Sequence, residues 1–296
     1  MMNRDILHDR ALAAYTGLAV GDALGATVEF MQPCEIRRQY GVHRDIIGGG
    51  WLKLKAGSVT DDTQMALALG RALIQSGGWN AQAVADSYVE WLRSKPIDIG
   101  NTCRRGIRRY MQEGSLAGPP SDSDAGNGAA MRNLPLVLLT LQDEHAFIDQ
   151  TLEQCHFTHH HPLSDAATLA LGRMLRAIFS GGRIKECRKV INDLVIEHPQ
   201  FKFTHYPKRA SAYIVDTMQT VLHHFFTTDS FESLLIQTVN CGEDADTTGA
   251  IAGMLGGALY GMKSIPQRWL DKLDPQVKSE IKLQVEELLR LSASGC

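Results

Sequence analysis

Two clusters of carboxylate and hydroxyl side chains are the residues in this sequence most able to do chemistry. The first is residues 60–63, which read TDDT, and the second is residues 243–248, which read EDADTT. Each cluster comes directly before an apolar repeat with helical spacing, so both are expected at the N-termini of helices. Capping of those helices is the simplest explanation, because Thr and Asp side chains accept hydrogen bonds from free backbone N–H groups.

The oxygen atoms in these clusters exceed what two helix caps require. A cap needs one side-chain oxygen, whereas the segments supply several threonine hydroxyls and four aspartates: Asp61, Asp62, Asp244 and Asp246. Carboxylate and hydroxyl oxygens suit hard divalent ions such as Mg²⁺ or Mn²⁺, and adjacent aspartates that point in different directions can serve two ions. The sequence therefore favours a dinuclear metal site.

A third acidic element consists of Asp22 and Glu29, which are seven residues apart. The two side chains share one face if the helix predicted around Asp22 continues to Glu29. A carboxylate in this position can simply be solvated at the mouth of a helical bundle. The glycines at positions 21 and 25 favour a functional role instead.

The glycine-rich stretch 122–131, DSDAGNGAAM, runs into a helical pattern. Its successive backbone N–H groups are suited to binding a phosphate, although Gly-Asn-Gly is also an ordinary turn composition. The histidine-rich segment that follows at 156–161 is less suited to zinc, because Pro162 comes next and the chain has neither a C-x-x-C pair nor an H-E-x-x-H motif. We expect a loop or helix start there, with one histidine lining a pocket.

The elements that must position these groups are predicted to be helices. Apolar residues recur at intervals of three and four, and clean alternation with a period of two is hard to find. Helices are predicted from Met65, near 277–289, and over 81–93, 131–141, 164–179, 186–197, 210–226 and 231–240. Because the acidic clusters lie at opposite ends of the sequence, we expect them to meet in a single all-α domain spanning 1–296.

Two sets of glycines with a four-residue spacing indicate closely packed helices. One set is Gly17, Gly21 and Gly25, and the other consists of the glycines at 249, 253, 257 and 261. Each set forms a stripe along one helical face, which permits close approach of a neighbouring backbone. A weaker expectation is that the two stripes contact each other.

Composition excludes several other classes of protein. The chain has 296 residues, 44% of them hydrophobic and 21% charged, with a net charge of -3, which predicts a globular core and argues against general nucleic-acid binding. Charged residues interrupt any N-terminal signal sequence, and the longest uncharged run, 247–262, is shorter than the roughly 20 apolar residues of a membrane span. The six dispersed cysteines, Cys296 included, are expected to be reduced thiols in a cytoplasmic protein.

Four segments in order resemble the ADP-ribosylglycohydrolase family: 17–25 (GLAVGDALG), 59–64 (VTDDTQ), 126–132 (GNGAAMR) and 240–249 (NCGEDADTTG). The length and the segments 96–102 and 155–162 are most similar to the branch that acts on dinitrogenase reductase, the iron protein of nitrogenase. The resemblance implies an all-α, single-domain orthogonal multi-helix bundle with a dinuclear metal cleft that holds two Mn²⁺ or Mg²⁺ ions. It also implies removal of ADP-ribose from a modified arginine, and as partners a PII nitrogen-signalling protein and an ammonium channel that sequesters the protein reversibly at the membrane.

The resemblance also implies roles for individual residues. Glu29, Asp98 and Asp62 would be catalytic, with Asp98 near the arginine. The diphosphate would lie on Gly126, Asn127 and Gly128, and His159 and Tyr213 would flank the adenine. The metal ligands would be Thr60, Asp61, Asp62, Asp244, Asp246 and Thr247.

Two alternatives stay open at the level of sequence. An all-α Mg²⁺-dependent diphosphate enzyme also uses aspartate-rich helices, but a D-D-x-x-D motif would need an acid at Met65. A protein of the same fold that binds ADP-ribose without hydrolysing the bond, or that is structural, is the other alternative. The presence of all the expected acids favours catalysis.

Overall fold

The computed structural model describes residues 4–204, 206 and 208–294. Within these residues the secondary structure is α-helical apart from three short 3₁₀ turns and two isolated β-bridges, Gly49 with Leu54 and Gly126 with Tyr213. The predicted all-α class is confirmed. The predicted single domain over 1–296 extends beyond the described residues, as does Cys296, and stays a prediction.

The described part of the chain contains fourteen α-helices joined mostly by short loops. They are α1 (Arg4–Gly25), α2 (Pro33–Tyr40), α3 (Asp61–Gln75), α4 (Ala81–Arg93), α5 (Asn101–Glu113), α6 (Leu134–Leu139), α7 (Glu144–His156), α8 (Pro162–Phe179), α9 (Ile184–Glu197), α10 (Ile214–Thr227), α11 (Phe231–Val239), α12 (Ala245–Tyr260), α13 (Gln267–Leu270) and α14 (Pro275–Ser294).

Helices α1 and α12 pack against each other along their glycine stripes at the centre of the bundle. A Cβ atom built on Gly17 would lie 2.2 Å from the carbonyl oxygen of Gly253, and one on Gly21 would lie 2.0 Å from that of Gly249. No side chain fits at such distances, so glycine is required for this approach. The expected contact between the stripes is therefore present, although Gly261 lies just past the end of α12 as its C-cap.

The predicted helices agree with the structure where an apolar stripe is long. The range 81–93 coincides with α4, and 164–179, 186–197 and 231–240 differ from α8, α9 and α11 by one or two residues at an end. Helix α5 was not predicted, because arginines fill much of its surface and its buried face is reduced to Cys103, Gly106, Ile107 and Tyr110. No helix in the described part of the chain is long and apolar enough to cross a membrane.

The condition under which Asp22 and Glu29 would share one helical face is not met. Helix α1 ends at Gly25, and residues 26–30 form turns. The backbone N–H of Phe30 donates to the carbonyl of Glu243 at 2.6 Å instead of to a carbonyl one turn earlier. Glu29 is consequently positioned by a loop that is anchored to the segment before α12.

Candidate active site

A cleft of about 560 Å³ brings together residues from both ends of the chain. It lies where the N-termini of α3 and α12 meet the loops before α2, α5 and α6. The predicted site residues that line it are Glu29, Asp61, Asp98, Gly126, Asn127, Gly128, His159, Asp244, Asp246 and Thr247.

The N-terminus of α3 is capped by a residue of another helix. Thr60 is the N-cap residue, but its side chain makes no capping hydrogen bond. The buried carboxylate of Asp22 in α1 accepts hydrogen bonds from the backbone N–H of Thr60 at 3.0 Å and of Thr63 at 3.2 Å, and from the Thr63 hydroxyl at 2.5 Å. The capping explanation for the first cluster is therefore wrong, because Asp22 performs that function and leaves Asp61 and Asp62 for other contacts.

Asp61 and Asp62 extend from the start of α3 into different surroundings. Asp61 lines the cleft and accepts a hydrogen bond from the backbone N–H of Gly100 at 3.0 Å. Asp62 lies beneath the floor, where one oxygen, Oδ2, accepts from the hydroxyls of Thr60 at 3.3 Å and Thr247 at 3.2 Å. Its other oxygen, Oδ1, is buried without a hydrogen-bond partner among the described residues, which is unusual for a carboxylate and indicates a missing ligand.

The start of α12 follows the same pattern. Asp244 is its N-cap residue, and again the side chain makes no capping hydrogen bond. Asp244 Oδ2 instead accepts from the Asn127 amide at 2.5 Å, which joins the second acidic cluster to the glycine loop. Asp246 Oδ1 accepts from the backbone N–H of Thr247 at 2.9 Å.

Three carboxylates form the compact centre of the site. One oxygen each of Glu29, Asp244 and Asp246 lies within 4.8 Å of the other two. Glu29 is further held by the indole of Trp51, whose Nε1–H donates to Oε2 at 2.6 Å. Glu29 therefore lies directly beside the second acidic cluster, next to two residues that were predicted as metal ligands.

Burial raises the pKa of six carboxyl groups in and beneath the cleft. The pKa is raised to about 6 for Asp22 and Asp244, to about 7 for Asp61 and to about 8 for Glu29. For Asp62 and Asp246 it is raised well above the usual range, first by burial and then by repulsion from neighbouring carboxylates.

A hard divalent cation stabilises buried carboxylates that repel one another, because it binds their negatively charged oxygen atoms. The orphaned oxygen of Asp62 and the close approach of Glu29, Asp244 and Asp246 both fit such an ion. The acidic cluster therefore has the chemistry of a metal-binding site.

The glycine loop forms the opposite wall of the cleft, against His159. A Cβ on Gly126 would lie 3.0 Å from His159 Nε2, and one on Gly128 would lie 2.6 Å from Cε1, so both glycines are needed for the ring to pack there. His159 follows α7 in the loop before α8, as expected for one histidine lining a pocket.

The ring of His159 is oriented by a buried arginine acting through Thr158. The Thr158 hydroxyl accepts from Arg132 Nη2 at 2.7 Å and lies 2.8 Å from His159 Nδ1. Burial, with repulsion from Arg132, holds the pKa of His159 well below its usual range, so the ring is neutral. Nε2 of this neutral ring lies beside the glycine loop.

Two predicted residues occupy the margin of the cleft. Asp98 is half-buried, its Oδ1 accepts from the backbone N–H of Ile99 at 2.7 Å, and burial raises its pKa. Tyr213 is 43% exposed and lies outside the lining, although its neighbour Ala212 belongs to it. Thr60 lies beneath the floor, like Asp62.

Trp51, which lines the cleft and donates to Glu29, is a residue that sequence reasoning did not find. It follows three consecutive glycines in a loop without helical periodicity, and its distance in sequence from Glu29 carries no signal. The capping role of Asp22 was also missed, because it depends on how α1 crosses α3.

Comparison with known proteins gives consistent relatives over nearly the whole chain. The sequence model of the ADP-ribosylglycohydrolase family matches residues 3–295. The chain is 58% identical to ADP-ribosyl-[dinitrogen reductase] glycohydrolase of Rhodospirillum rubrum over 97% of both chains. It is 32% identical to ADP-ribosylarginine hydrolase Tri1 of Serratia proteamaculans, over 90% of this chain and 76% of that one. A solved structure described as an ADP-ribosylglycohydrolase-related protein complex superposes with a TM-score of 0.86 and 32% identity, covering 97% of this chain and 99% of the other.

Proposed function

This chain belongs to the ADP-ribosylglycohydrolase family, and on that premise we propose that it hydrolyses the bond between ADP-ribose and a modified arginine of dinitrogenase reductase. The observation that carries the reaction type is the cleft in which the acidic clusters of α3 and α12 face the glycine loop and His159. The choice of protein substrate is supported by the 58% identity to the Rhodospirillum rubrum enzyme of that name.

In this proposal the acidic cluster holds two divalent ions, Mn²⁺ or Mg²⁺. The chemistry that the ions supply when bound is positive charge beside the ribose, which polarises its hydroxyl groups and lowers the pKa of water. Two observations support this assignment. Asp62 Oδ1 is buried without a hydrogen-bond partner among the described residues, and the side chains of the N-cap residues Thr60 and Asp244 make no capping hydrogen bond. The residues assigned as ligands are Thr60, Asp61, Asp62, Asp244, Asp246 and Thr247.

The carboxyl groups at the arginine end perform the proton chemistry. As the bond from ribose C1 to the guanidine nitrogen breaks, positive charge builds up on the ribose and negative charge on the nitrogen. Glu29, held by Trp51, or Asp98 at the margin, donates a proton to the leaving guanidine. Asp62 contributes by fixing Thr247 at the cleft floor.

The wall opposite the acids binds the nucleotide part of the substrate. Gly126, Asn127 and Gly128 hold the diphosphate, because this glycine-rich loop lines the cleft between His159 and Asp244. The neutral ring of His159 and the exposed ring of Tyr213 flank the adenine.

The test is incubation of the protein with ADP-ribosylated dinitrogenase reductase and with free ADP-ribosylarginine, each with and without Mn²⁺, while released ADP-ribose is measured. Release from both substrates that depends on the ion is the expected result. Tight binding of ADP-ribose without release would instead support a binding module. Release that is unchanged by a chelator would contradict the metal sites.

The family resemblance extends the proposal to regulation. A PII nitrogen-signalling protein would bind this enzyme, and an ammonium channel would hold it reversibly at the membrane, away from a cytoplasmic substrate. Co-sedimentation with channel-containing membranes, with and without the PII protein, checks this. The regulatory part fails if the enzyme stays in the supernatant under all conditions.

A further inference from the structure

A second groove adjoins the catalytic cleft and has no role in the chemistry described above. Its volume is about 450 Å³, and it shares Glu29, Phe30 and Trp51 with the cleft, so these residues form the boundary between the two. The remainder of its lining comes from the loop after α1, from α2 and from the loop before Trp51, and includes Thr27, Glu35, Arg38, Tyr40 and Gly50.

A chain of contacts gives the cleft a direction. His159 packs against Gly126, and the neighbouring Asn127 donates to Asp244 at 2.5 Å. The nucleotide wall therefore leads directly to the carboxylates. A substrate whose adenine lies at His159 has its diphosphate at the glycine loop and its ribose at the acidic cluster.

The same chain of contacts continues beyond the ribose. Asp244 and Glu29 have carboxylate oxygens within 4.8 Å of each other, Glu29 accepts from Trp51 at 2.6 Å, and the rings of Trp51 and Phe30 are 5.1 Å apart. The arginine attached to the ribose consequently emerges at Trp51 and Phe30. The polypeptide that carries it then faces the second groove.

Phe30 occupies its position at a cost to the folded protein. Its φ of +61° lies in the left-handed region, which disfavours residues other than glycine and asparagine, and its side chain is 63% exposed. Neither backbone preference nor burial in this chain therefore explains a phenylalanine here. Trp51, also half-exposed, extends the apolar surface beside it.

We propose that the second groove binds the polypeptide segment that flanks the ADP-ribosylated arginine of the protein substrate, with an apolar side chain on Phe30 and an acidic side chain on Arg38. Arg38 is exposed on α2 and lines the groove, so its guanidinium is available for a carboxylate. This inference rests on the proposed function, and it predicts that recognition of the protein and recognition of ADP-ribose are separable.

The test compares two substrates, ADP-ribosylated dinitrogenase reductase and free ADP-ribosylarginine, with the variants Phe30→Asn and Arg38→Glu. Asparagine tolerates the left-handed backbone, so Phe30→Asn is expected to fold. Each variant should raise KM for the modified protein about tenfold, as expected for loss of a central contact. Arg38 lies outside the catalytic cleft, so Arg38→Glu should leave kcat/KM for free ADP-ribosylarginine unchanged, whereas Phe30→Asn should affect the modified protein more than the free substrate.

Matched substitutions at exposed positions on α9 and α14, Ile196→Asn and Lys282→Glu, control for loss of surface hydrophobicity and for a change of net charge. The proposal is overturned if the groove variants leave KM for the protein unchanged or impair both substrates equally. It is also overturned if the controls raise KM as much. Failure of the proposed function would give a different result, because the wild-type enzyme would then release ADP-ribose from neither substrate.

Discussion

Phe30 and Glu243 face each other with left-handed backbones, at φ angles of +61° and +53°. The N–H of Phe30 donates to the carbonyl of Glu243, and the N–H of Glu243 donates to the carbonyl of Met31 at 2.9 Å. Two residues in a disfavoured conformation thus connect the loop that carries Glu29 to the segment that carries Asp244. Strain at such a junction is maintained only where the surrounding contacts require it.

Replacement of Gly242 tests this junction. Gly242→Ala should destabilise the protein by about 3 kcal/mol, because it adds left-handed strain and a Cβ 2.0 Å from the carbonyl oxygen of Met31. Gly114→Ala is the matched control, since Gly114 has a similar φ of +70° in the left-handed region but no atom within 4 Å of a Cβ. Urea unfolding should give a cost of only about 1 kcal/mol for the control. Equal costs would show that the close contact is unimportant.

Substitution of Asp22 tests its role as the cap of α3. Asp22→Ala leaves the backbone N–H groups of Thr60 and Thr63 and the Thr63 hydroxyl without their acceptor. We expect a loss of about 3 kcal/mol in the free energy of unfolding, because buried donors are left unpaired. Asp22→Asn keeps an acceptor oxygen and should lose less. An alanine variant as stable as the original protein would contradict the assignment.

Asp62→Asn separates stability from activity. Burial and neighbouring carboxylates raise the pKa of Asp62 well above its usual range, so folding of the ion-free protein at neutral pH must protonate a group that is ionised in the unfolded chain. Asparagine removes this cost, so the ion-free protein should become more stable. Turnover should fall about 100-fold, because a predicted ligand and the contact that fixes Thr247 are both weakened. Asp149→Asn, at an exposed position on α7, serves as the control. Unaltered turnover in Asp62→Asn would exclude Asp62 from the site.

The raised pKa values predict an unusual dependence of stability on pH. A carboxyl group whose pKa is higher in the folded than in the unfolded state favours folding at low pH, and this contribution is lost as the pH rises through the folded pKa. With folded pKa values of about 6 for Asp22, 7 for Asp61 and 8 for Glu29, the melting temperature of ion-free protein should fall between about pH 5 and about pH 8.

Divalent ions should counteract this fall, because they bind the deprotonated carboxylates. Saturating Mn²⁺ should raise the melting temperature by roughly 5–10 °C at neutral pH and by less at pH 5. Calorimetry with and without chelator measures both effects. A melting temperature that does not respond to Mn²⁺ at either pH would be evidence against the metal cluster.

Thr158→Val tests how His159 is oriented. Valine has the shape of threonine but breaks the hydrogen bonds to Arg132 and to His159 Nδ1. Freed from its fixed orientation, the imidazole should bind ADP-ribose about five- to tenfold more weakly, which corresponds to about 1 kcal/mol. Thr158→Ser keeps the hydroxyl and should retain the affinity. Titration calorimetry would contradict this role if valine and serine variants bound alike.

The sequence by itself determined the all-α class, the positions of the acidic clusters at helix starts and the glycine stripes of α1 and α12. These features are local, since a helix is specified by apolar residues every three or four positions and a close helix contact by small residues every four. Recognition of four ordered motifs further connected them to one family. Helices with little apolar surface, such as α5, were not visible in this way.

Only the tertiary structure decided which oxygens are available and where they point. Asp22 caps α3 in place of Thr60, the loop at Phe30 brings Glu29 beside Asp244 and Asp246, and Trp51 closes over Glu29. Each relationship joins residues more than twenty positions apart, or joins loops without periodicity, so no sequence spacing encodes it. Helix α1 creates these contacts, because its glycine stripe packs on α12 while its Asp22 caps α3, which sets the two acidic helix starts beside each other.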